Sequence, residues 1–232
     1  MRIGATVLFN GEQCIQSYSW RRYRPLGNLD TVIRSLDEYR VDEISLIMPF
    51  KKLVDLKLYE KIKDLNSQTP VSLGGGIRHV NDLVSLKKIP FERLLLNSAF
   101  LDKDLELIIE AQKILGRQAV IAVLPVKLVD NNFLFYNSGK DKFQLIDEEH
   151  YLWIDDLANE ILIIDVEKEG LKINFDLDIL SFLPINNSKI IISGGISEDI
   201  VKVAYQRGIA AVHIDNWTLH RENSIESFAR IR

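Results

Sequence analysis

The sequence predicts an α/β fold, a (β/α)8 barrel with a half-barrel internal repeat and a hairpin inserted after the fifth strand, occupying residues 1–232 as a single domain. Three observations predict it. Eight short apolar runs alternate with eight longer amphipathic stretches. The runs are apolar at consecutive rather than alternate positions, the mark of strands covered on both faces of a parallel sheet. A strand, a glycine turn and a helix recur at matching places in the two halves of the chain, which is an internal repeat. Strand and helix alternating throughout favours a closed barrel over an open doubly wound sheet. The dinucleotide fingerprint of such an open sheet is missing near the first strand.

In order, the strands are expected at Ile3–Phe9, Glu43–Met48, Val71–Leu73, Arg93–Leu96, Ala119–Val123, Ile161–Ile164, Lys189–Ile192 and Ala211–Ile214. The helices between them are expected at Leu29–Tyr39, Leu53–Leu65, Val80–Lys87, Leu105–Leu115, Glu149–Leu157, Leu177–Leu183, Glu198–Gln206 and Ser224–Ile231. Leu128–Asp147 is an irregular stretch between the fifth strand and its helix. Its two β-prone pieces, Asn132–Tyr136 and Lys142–Ile146, flank Asn137-Ser138-Gly139-Lys140 and read as a hairpin. Ser17–Pro25, rich in aromatics and carrying Arg21, Arg22 and Arg24, reads as a loop over the barrel mouth.

Composition excludes several classes of function. A hydrophobic fraction of 47% supports a large core. With 29 basic and 33 acidic side chains the net charge is −4, which gives no reason to expect nucleic acid or a membrane as partner. Cys14 is the only cysteine, so neither an intrachain disulfide nor a thiolate metal cluster is expected. The sequence shows no signal pattern and no bilayer-length apolar run, and a cytoplasmic location is the expectation. His79, His150, His213 and His220 do not fall at metal-ligand spacing. No metal and no cofactor are expected, and His213, at the end of the last strand, reads as a satisfied structural histidine.

The repeat carries the chemistry. Val71-Ser72-Leu73-Gly74-Gly75-Gly76-Ile77 matches Ile191-Ile192-Ser193-Gly194-Gly195-Ile196, and each is followed by a helix and another strand. Glycine permits positive φ and close approach of a ligand to backbone N–H groups. A helix N-terminus behind the turn adds donors and a favourable dipole for an anion. Two such corners on one mouth suit a small molecule with a phosphate at each end. The expected phosphate residues are Gly75, Gly76, Asn97 and Ser98 in one half, and Gly194, Gly195 and Asn216 in the other.

These motifs resemble the barrel (cyclase) subunit of imidazole glycerol phosphate synthase and, more loosely, its sister isomerase in histidine biosynthesis. The markers are Val41-Asp42-Glu43-Ile44, Leu73-Gly74-Gly75-Gly76-Ile77-Arg78, Leu96-Asn97-Ser98-Ala99, Glu160-Ile161-Leu162, Glu169-Gly170, Phe175-Asp176-Leu177 and Ile192-Ser193-Gly194-Gly195. Their order and spacing cover nearly the whole chain. The resemblance implies a lyase of the cyclase type, using aspartates at the ends of strands one and five as acid and base. It also implies a glutaminase (class I amidotransferase) partner, a phosphorylated small molecule as ligand, and an ammonia path through the barrel past a ring of charges.

Here the chain departs from the pattern. Val7 and Pro125 stand at the two aspartate positions by alignment, and Met48 replaces an acid at the end of strand two. The ring is kept: Glu43, Arg93 and Glu160 match three of its members and Arg2 supplies the fourth, with Asp42 and Glu92 beside them. Two readings follow. In one the barrel channels ammonia from a glutaminase and has lost cyclisation. In the other it is an active cyclase, or a related sugar-phosphate isomerase, with relocated acid and base. Asp165 is the candidate replacement, as is Asp215, although loop charge in solvent and a helix cap are the plain alternatives.

Overall fold

The computed structural model describes residues 1–49, 61–130 and 132–214. Most of the helix expected over Leu53–Leu65, all of that over Ser224–Ile231, and Asp215, Asn216 and His220 lie outside the described residues. The strands are β1 Arg2–Phe9, β2 Cys14–Tyr18, β3 Arg22–Gly27, β4 Ile44–Ile47, β5 Val71–Gly74, β6 Arg93–Leu96, β7 Val120–Val129, β8 Asn132–Asn137, β9 Lys142–Gln144, β10 Glu160–Asp165, β11 Ile190–Ser193 and β12 Ala211–Ile214. Eight of them pair in parallel in the order β1-β4-β5-β6-β7-β10-β11-β12. Strand β12 then pairs with β1, Arg2 opposite Ala211, and the ring closes. This is a (β/α)8 barrel of the TIM type.

Alternation along each stave sorts the core into two layers. Ile3, Ala5, Val7 and Phe9 of β1 join the helices in the outer layer, with Ile33, Leu36 and Ile108. Leu8, Ile47, Leu95, Ile121, Val123, Leu162, Ile164, Ile191 and Ala211 fill the bore. Both layers exclude water and are built mainly of apolar side chains, and this explains why the runs read as continuous.

The longer helices begin where a short polar side chain accepts an otherwise orphaned amide. Asn28 accepts from Asp30 ahead of α1 (Leu29–Glu38), which buries Leu29, Ile33 and Leu36 at helical spacing. The helix α2 (Val80–Leu86) starts beneath Asp82, whose Oδ2 accepts from the amides of Arg78 and His79 at 2.9 Å each. A short α3 (Ser98–Leu101) precedes α4 (Leu105–Leu115), which is capped by Asp104. Asp147 caps α5 (Glu148–Leu157). The short α6 (Asp178–Phe182) follows, and Ser197 caps α7 (Glu198–Gln206).

Two hairpins rise from the rim. β7 runs beyond the bore to Val129 because its outer half pairs antiparallel with β8, and β8 with β9, which is the expected insertion. The second hairpin was expected as a loop. Cys14–Tyr18 pairs with β1 on one side and with Arg22–Gly27 on the other. At its tip Ser19 and Trp20 adopt φ of 50° and 54°, a turn made without glycine or the usual Asn-Gly pair.

Candidate functional site

At the lower end of the bore four charged side chains form a closed cycle. Arg2 donates from Nε to Glu43 at 2.8 Å and from NH2 to Glu160 at 2.5 Å. Arg93 donates from NH1 to Glu160 at 2.7 Å and from NH2 to Glu43. Each arginine is shared between two carboxylates, and the four members come from the first, second, fourth and sixth staves. Burial by itself raises the pKa of Glu43. The hydrogen bond from His213, together with the charges of Arg93 and Arg2, outweighs burial and holds it well below the usual carboxylate range. Asp42 and Glu92 lie beside the cycle and have a local task. Asp42 accepts the amide of Ile3 at 2.6 Å, and Glu92 that of Val71 at 2.6 Å, so each satisfies a donor near the start of a stave.

His213 sits above the cycle and is fully buried. Its Nε2 lies 2.7 Å from Oε1 of Glu43. The sequence shows a structural histidine, and gives no sign that its partner is a member of the ring.

At the upper end a pocket opens over the first half of the barrel. Trp20, Met48, Gly75, Ile77, Arg78, Asn97, Pro125, Tyr136, Ser138 and Ile164 are among its lining residues. Among the described residues the lining contains no carboxylate. Pro125 faces this pocket, as alignment suggests. Val7 does not, since it packs in the outer layer. The residue of β1 that faces the bore near its upper end is Leu8. This corrects the position, and Leu8 cannot move a proton either.

Asp165 is 3% exposed and does not line the pocket. Its oxygens accept the amides of Glu167 and Asp176 at 3.1 Å each, tying down the loop after β10. Burial pushes its carboxyl up to about 6 against these bonds and the charge of Lys168. The relocated acid or base expected here is therefore a loop organiser in this conformation.

The glycine corners share the rim. β5 and β11 are four staves apart in a ring of eight, hence diametrically opposed. Gly75 and Gly76 have φ of 134° and 76°, and Gly194 and Gly195 of 91° and 75°. A Cβ on Gly75 would lie 2.5 Å from the carbonyl oxygen of Met48, and one on Gly194 would lie 2.4 Å from that of Asp165. The repeat is thus exact in its contacts at this point, with Met48 and Asp165 as equivalent positions. Asn97 has its side chain fully engaged: Nδ2 donates to the carbonyls of Val123 at 2.8 Å and Tyr136 at 3.0 Å, and Oδ1 accepts the amide of Ser138 at 2.8 Å. Its amide group welds the first corner to the β8–β9 hairpin, so this side chain keeps no free donor for an anion. Ser98 borders a neighbouring cleft with Arg78, His79 and Lys140. In the second corner Gly195 is overlaid by the loop after β10, whose Phe175 amide donates to Gly195 at 2.8 Å. Asn216 of this corner lies outside the described residues.

The two hairpins meet above the pocket. Trp20 stands edge-on to Tyr136 with ring centroids 5.5 Å apart. The tip of β2–β3 is fixed to the loop after β10: Ser19 donates its amide to Glu169 and its hydroxyl to Glu167, both at 2.9 Å. Sequence reading missed this arrangement, although the Glu169-Gly170 pair it singled out is one side of the contact. Cys14 is buried beneath, and burial, with the charge of Asp30, pushes its thiol up to about 12.

Among the described residues no group of three His, Cys, Asp or Glu side chains is placed to hold a metal, and no helix is long and apolar enough to cross a membrane. Known proteins agree with the geometry. The profile of the family described as histidine biosynthesis protein matches residues 14–222. A provisionally named imidazole glycerol phosphate synthase subunit hisF2 of Campylobacter jejuni is 28% identical over 206 residues, covering 85% of this chain and 80% of its own length. One of the same provisional name from Vibrio vulnificus is 24% identical over 237 residues, covering 97% and 85%. The imidazole glycerol phosphate synthase subunit HisF of Sulfurisphaera tokodaii is 29% identical over 163 residues, 63% of each chain. With the closed ring of staves, the paired glycine corners and a match across most of its length, this chain belongs to the histidine biosynthesis protein family, where it is similar to the imidazole glycerol phosphate synthase subunits.

Proposed function

We propose that this barrel is a cyclase-type subunit that takes ammonia from a glutaminase docked at its lower face, passes it up the bore, and no longer performs cyclisation. One observation carries the reading: the charged cycle at the neck is complete, while among the described residues the lining of the upper pocket contains no carboxylate. A ring of alternating charge closes a narrow polar neck to bulk water and ions, and it costs desolvation that the core does not require. Pro125 and Leu8 cannot exchange protons, so acid–base chemistry at the ends of the first and fifth staves is gone. The glycine corners support a phosphorylated small molecule as ligand, held by backbone donors at opposite sides of the mouth.

Co-purification with a glutaminase partner tests the reading, together with glutamine hydrolysis measured with and without this chain. Stimulated hydrolysis is expected. Glu43→Ala or Arg93→Ala should uncouple hydrolysis from ammonia transfer with the barrel still folded, and unchanged coupling in both variants removes the gate. Turnover of the histidine-pathway intermediate by the chain with an ammonium salt overturns the loss of cyclisation. The second reading, an active lyase with a relocated acid, requires the Asp165 carboxyl to leave the loop amides it accepts and enter the pocket. Such turnover, abolished in Asp165→Asn, would establish it.

A further inference from the structure

We propose that His213 is a docking point for neutral ammonia inside the bore, an inference that rests on the channel reading above and gives its interior a chemistry. His213 belongs to the inner face of β12. Its neighbours Val212 and Ile214 pack in the outer layer, and its ring reaches Glu43, which precedes β4 two staves away. The site is built around it. Gly4 stands opposite His213 on β1, and a Cβ there would lie 2.7 Å from the imidazole Cδ2 and Nε2 and 2.8 Å from Cγ of Glu43. Gly4 has no positive φ to require it. The imidazole requires it.

The hydrogen-bond partner fixes which ring nitrogen is bare. Arg2 and Arg93 already balance Glu43 and Glu160, so an imidazolium above them would be an unmatched buried charge, which is costly. A neutral ring facing an ionised Glu43, an acceptor only, carries its proton on Nε2. Nδ1 is then a lone-pair acceptor. It is buried, and among the described residues it has no hydrogen-bond partner.

It is not alone. The hydroxyls of Ser45 and Ser72 are likewise buried without a hydrogen-bond partner among the described residues. Ser72 lies opposite Ser45, Ser45 opposite Thr6, and Ser193 opposite His213. Thr6 and Ser193 join their hydroxyls at 3.0 Å past the intervening β12, which only inward-facing side chains can do. Five consecutive staves thus place neutral donors and acceptors in one polar stratum, directly above the charged cycle and amid aliphatic side chains. Unsatisfied groups of this kind cost about 1–3 kcal/mol each unless something small and polar occupies the space. Ammonia fits: its N–H groups donate to Nδ1 and to the hydroxyl oxygens, and its lone pair accepts from a hydroxyl. Ammonium lacks that lone pair and finds no counter-ion in the stratum.

Nitrogen-15 NMR of the full-length chain tests this without a glutaminase. The His213 signals are those missing in His213→Leu, or those left when the other three histidines are substituted. In the unmodified chain Nδ1 should resonate as an unprotonated imidazole nitrogen. It should shift saturably when ammonium chloride is added at alkaline pH, with potassium chloride producing no shift, and Ser72→Ala should weaken the response. An Nδ1 that is protonated, or that ignores ammonia, overturns the proposal. If Nδ1 responds while glutamine hydrolysis is indifferent to this chain, the docking point stands and the channel reading falls. Stimulated, coupled hydrolysis with a silent Nδ1 has the opposite meaning.

Discussion

At the scale of single residues, the informative positions are those where a side chain could be replaced by something the family pattern would not notice. Gly4 is one. Alanine is conformationally acceptable there, yet its Cβ would meet His213 and Glu43 at under 3 Å. Gly4→Ala should therefore lose about 1–3 kcal/mol by overpacking, and Gly4→Ala with His213→Ala should recover part of it, as read by urea denaturation. Asp165 is another. Its carboxyl is raised from 3.8 to about 6 by burial, so the native state holds its proton more tightly than the unfolded chain. The resulting stabilisation is fully present below about pH 4 and is lost as pH rises through about 6, on the order of 3 kcal/mol in all. The stability advantage of the natural chain over Asp165→Asn should accordingly be larger at pH 4 than at pH 7. An advantage that grows with pH would contradict the assignment. Sequence could not place Leu8 rather than Val7 in the bore. Both neighbours are apolar because both sides of a stave are dry, and hydrophobicity then carries no parity.

Among the elements, the staves and long helices were legible because their periodicity and caps are local properties. Leu105–Leu115 and Glu198–Gln206 end where their patterns end. The β8–β9 hairpin was legible through Asn137-Ser138-Gly139-Lys140. The β2–β3 hairpin was not, since Ser19 and Trp20 take left-handed backbone conformations that their side chains do not announce. What holds that turn is a tertiary contact. Gly170, at φ 69°, comes so close that a Cβ would lie 1.7 Å from the carbonyl oxygen of Ser17. Gly170→Ala should detach the hairpin tip from the loop after β10. The expected cost is roughly 2–4 kcal/mol in chemical denaturation, with faster amide exchange at Ser19, whose amide is bonded to Glu169. Undisturbed exchange there would show that the tip is held by other means.

Considered whole, the molecule divides its chemistry between two ends. The lower ring was legible as charges before strands, but its closure into a cycle, with each arginine shared, is a property of the barrel's curvature and exists only in three dimensions. The upper rim was legible as a duplicated glycine turn, and the diametric placement of β5 and β11 follows once eight staves close. The commitment of the Asn97 side chain was hidden, because its partners Val123, Tyr136 and Ser138 lie 26 to 41 residues further along the chain. That commitment has an optical consequence. The corner at Gly76 is joined through Asn97 to Tyr136, and Tyr136 touches the indole of Trp20 edge-on. An anion settling in the corner would strain a linkage that ends on a fluorophore, so the barrel carries its own indicator. Titrating inorganic phosphate should change the tryptophan emission of the natural chain and leave that of Trp20→Phe flat.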